Sequence, residues 1–207
     1  IAPIDFSAQS VRGFCDALAA KTATPGGGAV AGVTAAHAAS LLAMVVEYSL
    51  GKPSFATHEE EGPSILAALR ASVGHCLAAA NADAAAYGVL NKLWKRPAAD
   101  PERIAGWSTA VHGAIDAPLL IVRLAAEIAA RSRNLAGHTA KHLDSDLAIA
   151  ADLAGCAARA AAWNVRVNLP NVDDSDRRVA IGRDLDELLA IVAEDIAITD
   201  RLLSARR

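Results

Sequence analysis

Aromatic residues are scarce in this chain, since phenylalanine, tryptophan and tyrosine together make up 4% of its 207 residues. Alanine, by contrast, supplies roughly a quarter of the sequence. Strands prefer aromatic and β-branched side chains, whereas alanine is the strongest helix former, so this composition leaves little from which to build a sheet. The sequence predicts an all-α fold.

An excess of positive charge is also missing. The formal net charge is −3 at pH 7, and no basic stripe interleaved with aromatics is present, which argues against a nucleic-acid partner. The only cysteines are Cys15, Cys76 and Cys156, and none of them forms a C-x-x-C pair. This spacing excludes a disulfide framework or a zinc site and predicts reduced, mostly buried thiols.

Neither a leader-like N-terminus nor a linker is evident. The apolar runs are interrupted by polar residues before they reach about 18 residues, so the sequence predicts no signal peptide and no membrane span. It also predicts a cytoplasmic location. With no linker-like stretch, residues 1–207 are predicted to form a single helical domain.

Glycine, proline and capping residues divide the chain into about six predicted helices. These cover approximately residues 7–20, 27–49, 58–95 with a possible break at 62–63, 101–133, 145–169 and 175–203. Such helices predict an up-and-down bundle. Several of these helices have apolar or alanine-rich residues on more than one face. This is more apolar surface than one chain of this size can cover, so we expect a two-fold homodimer.

The most distinctive segment is the turn Thr24-Pro25-Gly26-Gly27-Gly28, which leads into a helix of small residues. Without Cβ atoms, the free N–H groups at a helix start can approach a ligand closely, and the helix dipole favours a negative or electron-rich atom. No lysine followed by serine or threonine comes after the glycines, and no strand-like run precedes them, so neither standard nucleotide loop is predicted. Close helix packing explains the glycines equally well.

Two carboxylates stand in apolar surroundings. Asp83 has alanine on nearly every side, which indicates either a surface position or a deliberate placement in a cleft. Asp116 precedes Pro118 in an apolar stretch, where the proline kinks a helix and the carboxylate can face the freed backbone. For Asp116 a structural role and a catalytic one are both open.

Polar groups near the ends of the fifth predicted helix have two interpretations each. Asp144, Ser145 and Asp146 are typical N-capping residues, but they are also candidates for a site. Asn164 and Asn168 are one turn apart, so their amides share a face. Such a pair can read a ligand or connect two helices.

The histidines provide weaker signals. His138 and His142 have the i, i+4 spacing of metal ligands, but no glutamate follows His138 and the segment is predicted as loop, so no metal site is predicted. His37 stands alone in the second helix, where an interior histidine with a satisfied ring is expected more often than a base.

Taken together, these segments resemble the cyclodeaminase/cyclohydrolase family of tetrahydrofolate one-carbon enzymes. That family includes bacterial methenyltetrahydrofolate cyclohydrolases and the cyclodeaminase half of formiminotransferase-cyclodeaminase. The resemblance covers nearly the whole chain and rests on landmarks in the right order: residues 24–28 leading into a small-residue helix with Met44-Val45 and Gly51-Lys52, Asp83-Ala84-Ala85-Ala86-Tyr87, Asp116-Ala117-Pro118-Leu119, Ser145-Asp146, and residues 164–169.

The resemblance implies a dimeric helical enzyme with a folate cleft near the subunit contact, a tetrahydrofolate derivative as substrate and no metal. It implies that Asp83 and Asp146 do the proton chemistry, with Asp116 as a second carboxylate. The residues predicted to hold the substrate are Pro25, Gly26, Gly27, Gly28, His37, Ser145, Asn164 and Lys52.

Two reactions fit this resemblance: hydrolysis of methenyltetrahydrofolate to formyltetrahydrofolate, and cyclodeamination of formiminotetrahydrofolate. The sequence also departs from the family pattern, because Asn81 stands where many relatives carry an acidic residue and the loop before Ser145 differs. Two alternatives therefore stay open. One is the same scaffold acting on another one-carbon iminium, as in Mannich-type addition of a formaldehyde-derived unit in secondary metabolism; the other is a non-catalytic helical dimer.

Overall fold

The computed structural model describes residues 5–206, and within them the chain is helical with no strand. The six α-helices are α1 (Val11–Ala19), α2 (Gly27–Ser49), α3 (Gly62–Trp94), α4 (Pro101–Leu135), α5 (Asp144–Asn168) and α6 (Ser175–Ser204). Short 3-10 helices lie at Phe6–Ala8, Pro53–His58, Lys141–Leu143 and Leu169–Asn171. The predicted all-α fold is confirmed.

Helices α2 to α5 form an antiparallel four-helix bundle in which each helix packs on the next and α5 closes the ring against α2. At one end of the α2–α5 pair the Ala140 N–H donates to Ser49 Oγ over 3.1 Å. At the other end Gly27 faces the amide of Asn164. Helix α6 covers α4 and α5, whereas α1 buries none of its residues.

Small residues let the backbones of α2 and α3 approach closely. A Cβ at Gly32 would lie 2.6 Å from the Cβ of Ala80, closer than real side chains come. Alanines fill the interior along α2 and α5, from Ala31 to Ala39 and from Ala150 to Ala162. Tight packing therefore accounts for Gly32, one turn inside α2, and leaves the glycines at the helix start to be explained.

The first residues of α5 do not cap it, so the capping interpretation of residues 144–146 is wrong. The N-cap is Leu143, and no side chain makes a capping hydrogen bond there. Asp144 instead pairs with Arg206 over 2.7 Å, which ties α5 to the end of α6. Asp146 lies in the first turn, where the helix dipole favours its negative charge.

Two of the three cysteines are exposed, contrary to the expectation of mostly buried thiols. Cys76 is buried in the core, and burial raises the pKa of its thiol to about 12. Cys15 and Cys156 both lie at the surface.

By length and composition alone, α2 and α3 are each long and apolar enough to cross a membrane. The sequence predicts no membrane span because polar residues interrupt its apolar runs. In the fold, 61% of the most apolar part of α2 is buried inside the bundle. Burial in a helical core selects for the same long apolar composition that a membrane does, which accounts for α2. The corresponding part of α3 is 33% buried.

Candidate functional site

A cavity of about 270 Å³ opens where the start of α2, the middle of α3 and the C-terminal part of α5 meet. Its walls are mainly backbone and small side chains, into which a few polar groups project. The lining residues include Gly26, Gly27, Gly28, Asp83, Tyr87, Ala114, Asn164 and Asn168. Within residues 5–206, no lysine or arginine lines this cavity.

The carboxylate of Asp83 lies directly against the first turn of α2. A Cβ built on Gly28 would be 2.0 Å from Asp83 Oδ2, so the carboxylate occupies the space that any side chain at Gly28 would need. The Asp83 carboxylate can lie here only because residue 28 is a glycine. This placement links the two sequence features, the glycine turn and Asp83, in one contact.

Burial raises the pKa of the Asp83 carboxyl from 3.8 to about 6. Asp83 has alanine neighbours on its own helix, and its carboxyl makes no side-chain hydrogen bond within residues 5–206. Burial removes water from around the charged form, so the carboxyl holds its proton more tightly. A carboxyl that titrates near neutral pH in a cavity can both accept and donate a proton.

The start of α2 brings unpaired N–H groups to the same cavity. Gly26 is the N-cap, and no side chain makes a capping hydrogen bond to this helix. The cis Thr24–Pro25 peptide bond precedes it, and Pro25 itself does not line the cavity. The helix start therefore offers donors and a positive dipole end beside a carboxylate.

The two asparagines of α5 have different roles. Asn164 donates through Nδ2 to the Ala160 carbonyl over 3.2 Å, and its amide lies 3.7 Å from the position of a Cβ on Gly27. Its Oδ1 is left as an acceptor at the cavity wall. Asn168 donates through Nδ2 to the carbonyls of Ala114, over 3.1 Å, and of Asn164, over 2.9 Å. Asn168 thus connects α5 to α4.

The bond from Asn168 has a specific cause in the sequence. Pro118 has no N–H, so the carbonyl four residues earlier, that of Ala114, loses its helical partner. One of the two interpretations of Asp116 has its carboxylate facing this freed backbone. Asp116 is exposed instead, and the amide of Asn168 satisfies the carbonyl.

Asn168→Ala is expected to lower the free energy of unfolding by about 1–3 kcal/mol, because the buried Ala114 carbonyl is left without a donor. Pro118→Ala restores an N–H four residues after Ala114. In that background the same Asn168→Ala change should cost clearly less. Denaturant unfolding of the four proteins in a double-mutant cycle measures this coupling, and additive effects would contradict it.

Several residues predicted for the site lie away from this cavity within one chain. Asp116 and His37 are exposed, and His37 is therefore not the interior histidine expected. Lys52 follows the far end of α2, and Ser49, the last residue of that helix, is already about 33 Å along the helix from Gly27. Ser145 and Asp146 begin α5, about 27 Å from Asn164 by the same measure.

Tyr87 ends the segment 83–87, and the sequence predicts no role for it. It follows Asp83 by one turn, so both project from the same face of α3. Its ring lines the cavity and remains 43% exposed. The i, i+4 spacing between Asp83 and Tyr87 is the sequence signal that could have indicated a place for Tyr87 in the site. Asn81, in contrast, accepts a hydrogen bond from the Phe6 N–H over 2.9 Å and anchors the N-terminal segment.

The chain is similar to several known proteins. The family described as formiminotransferase-cyclodeaminase matches residues 10–187. The chain is 29% identical over 201 residues to a methenyltetrahydrofolate cyclohydrolase of Methylorubrum extorquens, covering 94% of both chains. It is 25% identical to the formimidoyltransferase-cyclodeaminase of Gallus gallus, covering 93% of this chain but 36% of that one.

A solved structure is also similar. The crystal structure of formiminotetrahydrofolate cyclodeaminase from Thermotoga maritima superposes with a TM-score of 0.88 and 27% identity. The match covers 96% of this chain and 98% of that one. The whole helical arrangement is therefore shared.

Proposed function

This chain belongs to the formiminotransferase-cyclodeaminase family, and from that membership we propose that it is a folate one-carbon enzyme that binds 5,10-methenyltetrahydrofolate in its cavity. The observation that carries the proposal is Asp83, a half-buried carboxyl with a pKa of about 6 held against the start of α2. The M. extorquens relative, which this chain matches over nearly its full length, is named a cyclohydrolase. Hydrolysis is therefore the first activity to expect.

Methenyltetrahydrofolate carries an amidinium-like cation, whose carbon bridges two nitrogens. The Asp83 carboxylate stabilises this cation and takes a proton as water adds to the bridging carbon. A neutral tetrahedral intermediate results. When one carbon–nitrogen bond breaks, Asp83 returns its proton to the departing nitrogen, and the hydroxyl loses its proton to solvent. The products are a formyl group and one net proton.

Cyclodeamination is the second candidate, favoured by the similarity to the T. maritima cyclodeaminase. Here the second folate nitrogen attacks the formimino carbon, and the carbon's bond to the formimino nitrogen breaks. With one proton supplied, the products are ammonia and the methenyl cation. The same cation is thus substrate in one reaction and product in the other. A site complementary to it, with a carboxyl able to carry a proton, suits both.

The remaining cavity groups suit a pterin ring. The free N–H groups at the start of α2 can donate to an electron-rich atom such as the ring carbonyl. Asn164 Oδ1 can accept from a ring N–H, and Tyr87 offers an aromatic face. Because no cation lines the cavity within the described part of the chain, the glutamate end of the substrate would extend beyond these walls.

We further propose that the protein works as a homodimer in the cytoplasm, without a metal, nucleic acid or membrane. The uncovered apolar helix faces support the dimer. The net charge of −3 supports the absence of a nucleic-acid partner.

The test is an assay of the purified chain with each substrate. Methenyltetrahydrofolate should lose its absorbance faster than in buffer, and 5-formiminotetrahydrofolate, followed by ammonia release, decides whether deamination also occurs. The proposal would be overturned if neither substrate reacted faster than in buffer and calorimetry detected no folate binding. Activity on a different one-carbon iminium alone would favour the alternative substrate.

The pH dependence of hydrolysis should follow Asp83. Because the carboxylate form accepts the proton, kcat/KM should rise as pH rises through about 6 and then level off. The bound cation favours the ionised carboxylate, so kcat should rise at a lower pH than kcat/KM does. The profile is measured after subtracting the buffer rate. A kcat/KM that does not change with pH across this range would contradict the role of Asp83.

A further inference from the structure

Asn168 is the most buried polar side chain that lines the cavity within residues 5–206, at 7% exposed. Its Nδ2 donates two hydrogen bonds, to the Ala114 carbonyl over 3.1 Å and to the Asn164 carbonyl over 2.9 Å. An amide nitrogen carries two hydrogens, so both are used. The Oδ1 of Asn168 accepts no hydrogen bond in this part of the chain and remains as an acceptor at the cavity wall.

The orientation of the Asn168 amide is fixed by its neighbours. Turning the amide by 180° would place Oδ1 against the carbonyl oxygens of Ala114 and Asn164, and two acceptors form no hydrogen bond with each other. The Ala114 carbonyl needs this donor because Pro118 supplies no N–H. The proline in α4 therefore determines that Asn168 presents an acceptor, and not a donor, to the cavity.

We propose that Asn168 is a specificity-determining residue that accepts a hydrogen bond from the exocyclic amino group of a 2-amino-4-oxopteridine ring, and that Pro118 is the positioning residue that fixes its amide. This inference rests on the proposed function, because it concerns how the folate ring is recognised. The amino group is the outermost donor of that ring, on the side away from the one-carbon unit. A buried acceptor attracts this N–H donor and repels the ring carbonyl.

Two walls of the cavity thus differ in hydrogen-bonding character. The start of α2 offers free N–H donors, whereas α5 offers the Oδ1 acceptors of Asn164 and Asn168. A ring edge with a carbonyl at one end and an amino group at the other fits these walls in one orientation only. A ligand without the amino group leaves the buried acceptor unpaired, which lowers its affinity.

The test compares two ligands that differ in this one group. Tetrahydrofolate, which has no one-carbon unit to react, and its 2-desamino-2-methyl analogue are each titrated into the intact protein under argon, and calorimetry gives both dissociation constants. We expect the analogue to bind about 10–100-fold more weakly. Equal affinities would overturn this inference and leave the proposed function standing. A protein that binds neither ligand would also overturn it, and the separate activity assay decides whether the proposed function is wrong as well.

Variants assign the difference between the two ligands to Asn168. In Asn168→Ala the acceptor is gone, so the two dissociation constants should become nearly equal. The double variant Asn168→Ala with Pro118→Ala should give the same result in a more stable fold, because residue 118 then supplies the Ala114 carbonyl with a helical N–H. If both variants bind each ligand more weakly by the same factor, Asn168 has a structural role only and the inference is overturned.

Two single variants complete the test. Pro118→Ala alone should reduce the preference for tetrahydrofolate, because the Ala114 carbonyl no longer holds the Asn168 amide in one orientation. An unchanged preference would overturn the positioning role of Pro118. Asn171→Ala is the matched control, since Asn171 donates to the main-chain carbonyl of Asn168 over 3.3 Å and does not line the cavity. It should keep the wild-type ratio of dissociation constants, and a loss of preference there would overturn the assignment to Asn168.

Discussion

Asp83→Asn is expected to lower kcat for methenyltetrahydrofolate hydrolysis by about 10²–10⁴-fold, because asparagine keeps the shape of the side chain but cannot carry the proton. The charge that faces the substrate cation disappears as well, so KM should rise. Steady-state kinetics with wild type and variant measure both values. A variant with unchanged kcat would remove Asp83 from the mechanism.

The same substitution should stabilise the fold, which separates its effect on catalysis from damage. The pKa of Asp83 is higher in the folded than in the unfolded chain, so the folded state binds the extra proton between pH 3.8 and about 6. Stability contributed by this group is therefore lost as pH rises through that interval. Above it the ionised carboxylate costs about 3 kcal/mol, which asparagine removes.

The pH at which this gain appears is the control. Below about pH 4 both states hold a neutral Asp83, and the substitution should leave the melting temperature nearly unchanged. At pH 7 the variant should melt a few degrees higher than wild type. An inactive variant that also melts lower at pH 7 would indicate lost packing rather than lost chemistry.

Gly28→Ala is expected to reduce kcat by roughly 10²-fold, because the new Cβ would lie 2.0 Å from Asp83 Oδ2 and must displace the carboxylate. Alanine favours a helix more than glycine does, so helix content should not fall. The measurement is kcat alongside far-UV circular dichroism. An alanine at Gly28 with wild-type kcat would show that the carboxylate's place against α2 has no bearing on the reaction.

Two further alanine substitutions make this result specific. A Cβ on Gly27 meets the Asn164 amide at 3.7 Å, an ordinary contact, so Gly27→Ala should have a smaller effect. Gly74 lies on α3 outside the cavity with nothing within 4 Å of its Cβ position, so Gly74→Ala should retain full activity. Equal losses in all three variants would indicate a general effect of rigidity instead of displacement of Asp83.

Much of the fold could be predicted because the information is local. Glycine ends helices by its own backbone properties, as at both ends of α2, and Asp174 caps the start of α6 with its side chain, so the predicted 27–49 and 175–203 helices agree closely with α2 and α6. The failures are tertiary. Residues 144–146 have capping chemistry, but Asp144 pairs with Arg206, 62 residues away. Asp116 is close in sequence to the Ala114 carbonyl that Pro118 leaves without a helical partner. That carbonyl instead accepts a hydrogen bond from Asn168, which lies on another helix.

The sequence by itself determined the helical class, the boundaries of most helices and the two features that meet in the cavity, the glycine turn and Asp83. Composition and helix-ending residues act over a few positions, so no contact had to be known. Only the tertiary structure decided that Gly28 and Asp83 touch, that burial raises the pKa of Asp83 to about 6, and that Asp146 and Lys52 lie far from that cavity within one chain. Such properties depend on how helices distant in sequence pack together, which no short segment specifies.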